Sequence, residues 1–249
     1  MRAKEFYQRF IAVHKCIGCG EILPWQRSDE AFCEMCQQNW NADTLRGCVD
    51  CFLPARECEC MPKSLKSAGA LTHRKLVFYS DSGDNSTTNG IIYWLKHRKS
   101  DRGAHFVARE LTYALNTELE ALDVTDQNVI ITHVPRGKRA KIYHGFDQSE
   151  MVCKHFSILT GFSNASLFRS QISRSQQKDL NSKERMRHAN ATISLRPKSD
   201  VKDKYIVLFD DIVTSGASMS VCTRLLMKHG AKGVICLSLA SRQRAKQKM

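Results

Sequence analysis

The sequence lacks any hydrophobic run that approaches the ~20 residues needed to span a membrane, so we expect no membrane insertion. Its N-terminal segment, MRAKEFYQRFIAVHKC, places charged and polar residues where a secretory signal peptide carries an apolar stretch. The GxxxxGK[ST] loop of P-loop ATPases is also absent, which argues against an ATP-driven motor. Together these absences predict a cytoplasmic protein.

Acidic residues are scarce relative to basic ones. The chain has 25 Asp and Glu against 38 Lys and Arg, a formal net charge of +13. Such an excess favours an anionic partner, such as nucleic acid or a phosphate-rich ligand. A basic surface without a polymeric partner is the alternative. The 249 residues, 42% of them hydrophobic, leave room for one α/β domain and a small appendage.

Cysteine is concentrated near the N-terminus. Three of the 11 cysteines (Cys153, Cys222 and Cys236) fall at apolar positions of predicted helices or strands, and we interpret them as core residues. In a reducing compartment, the remaining cluster favours metal thiolates over disulfides. It comprises three CxxC pairs and one CxC pair, namely Cys16 and Cys19, Cys33 and Cys36, Cys48 and Cys51, and Cys58 and Cys60.

This spacing predicts structural zinc. Two thiolates separated by two residues can lie on one turn and face the same tetrahedral ion, so two pairs complete a four-thiolate site. We therefore expect one or two Zn²⁺ ions; the CxC pair is tighter than a usual turn of this kind. The spacing leaves open whether the pairs combine sequentially or interleave. Four thiolates leave no open coordination position, which argues against zinc catalysis. A reduced cluster without metal is the alternative.

Downstream of the cysteines, apolar runs alternate with helical patterns. Strands are predicted within 76–79, 129–134, 205–209 and 234–239, and helices within 91–95, 106–119, 151–159 and 219–226. This alternation predicts an α/β fold with a parallel sheet. The polar tract 171–190 shows neither pattern.

The change in composition predicts two domains. Residues 1–62 form a zinc-ribbon module with a leading amphipathic helix, whose apolar positions are Phe6, Phe10, Ile11 and Val13. Residues 63–249 form the α/β domain. The polar stretch 61–69 is interpreted as the linker between them.

The stretch YIVLFDDIVTSGASM, residues 205–219, predicts a phosphate site. A buried strand ends in Asp210 and Asp211, and a loop of small residues then opens a helix: Thr214, Ser215, Gly216, Ala217 and Ser218. Backbone N–H groups, hydroxyls and the helix dipole suit a phosphate dianion. The acids can accept hydrogen bonds from sugar hydroxyls or hold a metal ion. The pattern predicts a ribose 5-phosphate site; a βα turn with a capping Asp is the alternative.

Residues 207–219 resemble the motif of type I phosphoribosyltransferases that binds phosphoribosyl pyrophosphate (PRPP). With the cysteine module in front, the chain is similar to the ComF family over nearly its whole length. The resemblance implies that Asp210 and Asp211 contact the ribose of PRPP, which binds with Mg²⁺, and that residues 214–218 bind its 5-phosphate. It also implies a pyrophosphate loop, formed by Pro135, Arg136, Gly137 and Lys138.

Two further family elements are present with departures. The segment 144–148 matches an RGFNQ-like element, but His144 replaces the arginine and Asp147 the asparagine. A third element is matched by Gln177, Leu180, Arg185 and Arg187, whereas His188 falls at its asparagine position. Purine-salvage transferases carry an acid where this chain has Thr214, which argues against hypoxanthine or guanine salvage.

The resemblance implies a role in DNA uptake or utilisation, because ComF relatives are linked to natural competence. Single-stranded DNA and proteins of DNA uptake are the expected partners beside PRPP. Basic stretches at 96–102, 136–141, 174–187 and 242–248 favour this role, and Trp25, Tyr143 and Phe146 are candidate stacking platforms. The alternative is a catalytic phosphoribosyltransferase with an unidentified acceptor. No segment that would cover a nucleobase is evident, and no catalytic residue is assigned.

Overall fold

The protein is described by a computed structural model that covers residues 14–79, 86–122, 124, 128–171 and 181–243. Five parallel strands form one sheet in the order β1-β7-β6-β2-β3, and β4 pairs with β5 in a separate two-stranded antiparallel sheet. The strands are β1 (Thr72–Tyr79), β2 (Val129–His133), β3 (Ser163–Asn164), β4 (Phe168–Ser170), β5 (Ile193–Leu195), β6 (Tyr205–Val213) and β7 (Gly233–Arg242). The predicted parallel α/β fold is confirmed.

Helices cover both faces of the sheet. Those of the described residues are α1 (Glu34–Leu45), α2 (Lys63–Ser67), α3 (Thr87–Arg98), α4 (Asp101–Ala121), α5 (Lys138–His144), α6 (Gln148–Thr160), α7 (Ser182–Thr192) and α8 (Ala217–Lys228). Apolar residues of α3, α4 and α6 pack on one face, and those of α2, α7 and α8 pack on the other. Within the described ranges, no helix combines the length and the apolar character needed to cross a bilayer.

The central strand β6 carries the acid pair, and its burial explains its sequence. Val207 and Phe209 enter the core under α4 and α6, whereas Ile206 and Leu208 enter the core under α8. All four are fully buried. Successive side chains of a strand point to opposite faces, so a strand covered on both sides needs a continuous apolar run.

The cysteine module packs directly onto the α/β domain. The rings of Phe32 and Trp40 meet Phe106 of α4 edge-on, with centroid separations of 4.9 and 5.3 Å. Helix α3 approaches so closely that a Cβ on Gly90 would lie 1.8 Å from the carbonyl oxygen of Gly18. Position 90 therefore requires glycine. The division of the chain at residues 62 and 63 stays a prediction.

Two segments differ from the expectation drawn from the sequence. The tract 171–190 contains the start of helix α7, where Asn181 and Glu184 form a capping box. The linker 61–69 contains the short helix α2, which is anchored by the fully buried Leu65. Polar composition concealed both helices. The predicted leading helix, with Phe6, Phe10, Ile11 and Val13, lies outside the described residues.

Candidate functional site

The eight N-terminal cysteines form two groups of four in sequential order. One group contains Cys16, Cys19, Cys33 and Cys36, and the other contains Cys48, Cys51, Cys58 and Cys60. Within each group the sulfur atoms all lie within 4.8 Å of one another. The Sγ atoms of Cys19 and Cys33 are 3.8 Å apart, which is close to the S–S edge of a tetrahedron whose Zn–S distance is about 2.3 Å. Both groups therefore fit a zinc ion.

The two groups share one local geometry. In the first, the backbone N–H of Gly18 donates to Cys16 Sγ at 3.3 Å; in the second, that of Asp50 donates to Cys48 Sγ at 3.4 Å. Short antiparallel bridges follow the same plan, joining Lys15 to Ile22 and Gly47 to Pro54. These N–H donors stabilise the thiolate form of the sulfur, which is the form that binds a metal ion.

The pKa values of the thiols differ within the cysteine groups. Burial, together with Cys51 and Cys58, raises the pKa of Cys60 to about 12. Burial also raises the pKa of Cys36. For Cys16, burial acts in the same direction but is outweighed by backbone N–H donors, so its pKa falls to about 7. A bound divalent ion would stabilise all four sulfurs of a group as thiolates.

The second cysteine group is hydrogen-bonded to the sheet on the side where the strands end at their carboxyl termini, which is also where the acids lie. The Nζ of Lys75, a buried residue on β1, donates to the carbonyl oxygens of Cys58 and Cys60, both at 2.7 Å. Beyond β7, the side-chain amide of Gln243 donates to the carbonyl of Gly47 at 2.7 Å. The module is therefore fixed beside the carboxyl ends of β1 and β7.

The acid pair lies at the carboxyl end of β6. Lys96 from α3 approaches Asp211 with an Nζ–Oδ2 distance of 3.2 Å, and Gln148 from α6 donates to the same oxygen at 2.9 Å. These partners outweigh burial and lower the pKa of Asp211. Burial and the adjacent Asp211 raise the pKa of Asp210. Burial and charge thus act differently on the two acids, and within the described residues the ion pair of Lys96 is made with Asp211.

Gln148 has an unused acceptor beside these acids. Its Nε2 donates to Asp211, but its buried Oε1 finds no hydrogen-bond partner among the described residues. Buried polar groups are nearly always paired, because an unpaired one loses its hydration without compensation. A ligand hydroxyl at the acid pair would supply the missing donor.

The small-residue loop leads from β6 into α8. Gly216 adopts φ +71° as the N-cap, a conformation that favours glycine. Two other segments hold the loop in place: Ser64 Oγ donates to the Ser215 carbonyl at 2.9 Å, and Arg185 of α7 donates to Thr214 Oγ1 at 3.1 Å. Thr214, Ser215 and Ser218 are partly exposed, whereas Gly216 and Ala217 are buried.

The predicted pyrophosphate loop joins β2 to α5. Asp147, which is buried, accepts from the backbone N–H of Arg136 at 3.1 Å and also caps α6. The Arg136 guanidinium donates to the carbonyls of Phe146 and Lys96. Arg136 therefore ties the loop to α3, and Asp147 fixes the loop backbone. Pro135 is half-buried, while Gly137 and Lys138 are exposed at the start of α5.

A pocket of about 560 Å³ opens beside the small-residue loop. Its lining includes Thr214, Ser215 and Arg185, together with Cys60 of the second cysteine group and the nearby Asp50. Arg242 and Gln243, where β7 ends, also line it. The pocket lies on the β7 flank of β6, whereas the loop 135–138 follows β2 on the opposite flank.

No local pattern in the sequence assigned a role to the side chains that hold the acid pair and the small-residue loop. Lys96 appeared only as part of a basic stretch, and Ser64 only as part of a linker. Gln148 stood in a motif without a role. Of the third element, Gln177 and Leu180 lie outside the described residues, and Arg185 contacts the loop. Trp25 is 65% exposed on a 3-10 turn of the cysteine module.

The sheet, the acid pair and the loop that opens α8 define a phosphoribosyltransferase-like domain behind two four-cysteine groups. In agreement, residues 154–249 match the phosphoribosyl transferase domain family. The predicted architecture, a cysteine-rich module in front of a phosphoribosyltransferase-like domain, is thereby confirmed.

Two named proteins are similar to most of the chain. Over 218 residues the chain is 24% identical to the DNA utilization protein YhgH of Escherichia coli (strain K12), covering 85% of this chain and 91% of that protein. The Shigella flexneri protein of the same name matches with the same identity and coverage.

Two solved structures are also similar in part. A hypoxanthine phosphoribosyltransferase from Staphylococcus aureus is 13% identical, with a TM-score of 0.34, covering 60% of this chain and 70% of that one. A purine phosphoribosyltransferase from Pyrococcus horikoshii Ot3 is 19% identical, with a TM-score of 0.32, covering 55% and 73%.

Proposed function

We propose that this chain is a PRPP-binding protein that acts in DNA utilisation in the cytoplasm and handles single-stranded DNA. The observation that carries the first part is the arrangement of Asp210, Asp211 and the unused Gln148 acceptor at the end of β6, which leads into the loop 214–218. Acids and an amide oxygen suit vicinal hydroxyls, and the loop suits a phosphate. Ribose 5-phosphate carries both groups.

Each part of PRPP then has a partner. The ribose hydroxyls donate to Asp210 and Asp211, and the 5-phosphate accepts from backbone N–H groups and hydroxyls of the loop. The pyrophosphate lies towards the loop 135–138, where Lys96 and Lys138 supply positive charge. Mg²⁺ would enter with PRPP and neutralise part of the pyrophosphate charge, with carboxylate oxygens as the ligands it prefers.

The zinc ions have a structural role in this proposal. Ser64, which follows the second cysteine group, holds the small-residue loop through its hydrogen bond to Ser215. Pro62 packs close to Gly216, because a Cβ on Gly216 would lie 3.0 Å from the Cβ of Pro62. Metal at that group therefore supports the ligand site without touching the ligand.

The DNA-related part rests on charge and on the named relatives. The net charge is +13, and the relatives in Escherichia coli and Shigella flexneri are described as DNA utilization proteins. Polyanion binding by such a surface weakens as salt rises, because counterions are released from the nucleic acid. Isothermal titration with PRPP and Mg²⁺, together with fluorescence anisotropy on a single-stranded oligonucleotide, tests both parts separately.

The pocket of about 560 Å³ favours a second candidate, a catalytic phosphoribosyltransferase. Displacement of pyrophosphate from C1 requires the acceptor to approach from the side opposite the leaving group. The pocket lies on the flank of β6 opposite the loop 135–138. The second cysteine group lines this pocket, whereas the sequence predicted no segment of the α/β domain that would cover a nucleobase. Pyrophosphate release that depends on an added base or nucleoside would support this candidate.

A further inference from the structure

A continuous series of rings connects α3 with α5 and the loop that follows. We call the six residues the aromatic strip; they are Tyr93, Trp94, His97, Tyr143, His144 and Phe146. Neighbouring ring centroids lie 4.8 to 6.3 Å apart, and the closest contact joins Tyr143 to His144. His144, which replaces the arginine of the family element, joins the rings of the two helices.

The strip lies on the surface and not in the core. Tyr143 is 84% exposed and Tyr93 is 47% exposed, and His97 is also exposed. Trp94, His144 and Phe146 are half-buried. Large aromatic residues are normally buried for most of their area, so the exposed rings that continue from these half-buried ones indicate a binding surface. The strip reaches the candidate site, because the Arg136 guanidinium lies 5.5 Å over the Phe146 ring.

Positive charge borders the strip on both helices. The exposed cations are Arg98 and Lys99, which follow His97, and Lys138, Arg139 and Lys141 on α5. Glu150 offsets one of them through a 3.1 Å ion pair with Lys141. The surface therefore combines exposed rings with a net positive charge.

We propose that the aromatic strip is the surface on which this protein stacks the bases of single-stranded DNA. Single-stranded nucleic acid offers unpaired base faces and phosphates together, and exposed rings flanked by Lys and Arg match both. A duplex hides its base faces. The inference rests on the DNA-related part of the proposed function and names the surface that performs it.

The test compares aromatic variants with a matched control. Tyr143→Ala combined with Tyr93→Ala is measured against Tyr113→Ala, which removes an 82% exposed tyrosine from α4. Stacking contributes about 1–3 kcal/mol per base in alanine substitutions, so the double variant should bind a short oligonucleotide at least about tenfold more weakly. The control should bind like the wild type.

The salt dependence separates stacking from charge. The tyrosine variants keep every cation, so the slope of log affinity against log salt should be unchanged. Lys138→Ala combined with Arg139→Ala should instead make the slope shallower by about 1.4, at roughly 0.7 per lost contact. PRPP titrations on the tyrosine variants should match the wild type and show that the fold is intact.

The outcomes distinguish the inference from the function on which it rests. If wild-type protein binds the oligonucleotide and the tyrosine double variant binds it equally well, the strip serves another partner, such as a protein, and the inference is overturned. If wild-type protein binds DNA more weakly than about 10⁻⁴ M at low salt, the DNA-related function fails and the inference fails with it. Equal losses on single-stranded and duplex DNA would also overturn base stacking.

Discussion

Replacing Lys96 with methionine tests how the acid pair is held in the fold. The Nζ of Lys96 lies 3.2 Å from Asp211, and the lysine side chain is 29% exposed whereas that of Asp211 is 8% exposed. Lys96→Met keeps most of the aliphatic packing but leaves two adjacent carboxylates without their cation. We therefore expect a less stable protein at neutral pH.

The expected loss of stability in Lys96→Met lies between two limits. Breaking a fully buried pair costs about 3–5 kcal/mol, whereas exposed pairs contribute about 0–1 kcal/mol. Lys96 is partly exposed, and Asp211 keeps its hydrogen bonds from Gln148 and the Ile212 backbone. A loss of about 2 kcal/mol follows, or about 4–8 °C in Tm for a chain of this size.

The loss should depend on pH. Lys96 lowers the pKa of Asp211 in the folded state, and such a lowered pKa contributes stability above the unfolded carboxyl pKa of about 4. That contribution disappears as the pH falls through the folded pKa. The stability difference between wild type and Lys96→Met should therefore be largest at neutral pH and shrink below about pH 4.

Thermal unfolding followed by circular dichroism, at constant zinc, measures these differences. A double-mutant cycle with Asp211→Asn should show coupling, because the lysine matters less once the charge is removed. Lys228→Met, at an exposed position of α8, is the control and should change stability little. Lys96→Met within about 0.5 kcal/mol of wild type at neutral pH, the range of ordinary surface substitutions, would refute the reasoning.

Two further predictions concern the loop and the metal. Gly216→Ala should lower stability in urea unfolding by about 1–2 kcal/mol, because alanine at φ +71° is strained and its Cβ would lie 3.0 Å from Pro62; an unchanged midpoint would contradict the loop geometry. Elemental analysis should find two zinc ions per chain, and Cys36→Ser or Cys58→Ser should each remove one of them. Less than half an equivalent of any metal in wild-type protein would exclude both sites.

Features that depend on neighbouring residues could be predicted from the sequence. The apolar run 205–209 predicted the central strand, since burial on both faces requires it. The CxxC spacing predicted metal sites, because the two cysteines of each pair lie on one local turn. The structure adds that the pairs combine in sequential order, which spacing alone left open.

Contacts between distant segments could not be predicted. Lys96 reaches Asp211, and Ser64 reaches Ser215, across long stretches of chain, and no local pattern encodes either approach. Helix α7 is a different case, because the Asn181 and Glu184 capping-box spacing was present in the sequence. Its polar composition concealed that signal.

The structure also accounts for the two departures in the 144–148 element. Asp147 caps α6 and holds the Arg136 backbone, so an acid performs a structural role there. His144 joins the rings of α3 and α5. The role of His144 could not be inferred from the residue type, because it depends on helices that meet only in the folded protein.

PRPP binding by the acid pair is the central claim, and calorimetric titration with PRPP and Mg²⁺ tests it most directly. Asp210→Asn combined with Asp211→Asn should weaken binding at least about 100-fold, since each charge-assisted hydrogen bond contributes about 1.5–3 kcal/mol. The matched charge control, Asp200→Asn with Asp203→Asn at exposed positions, should bind like the wild type. Equal PRPP affinity in wild type and the Asp210 and Asp211 double variant, or no binding by wild type, would contradict the account.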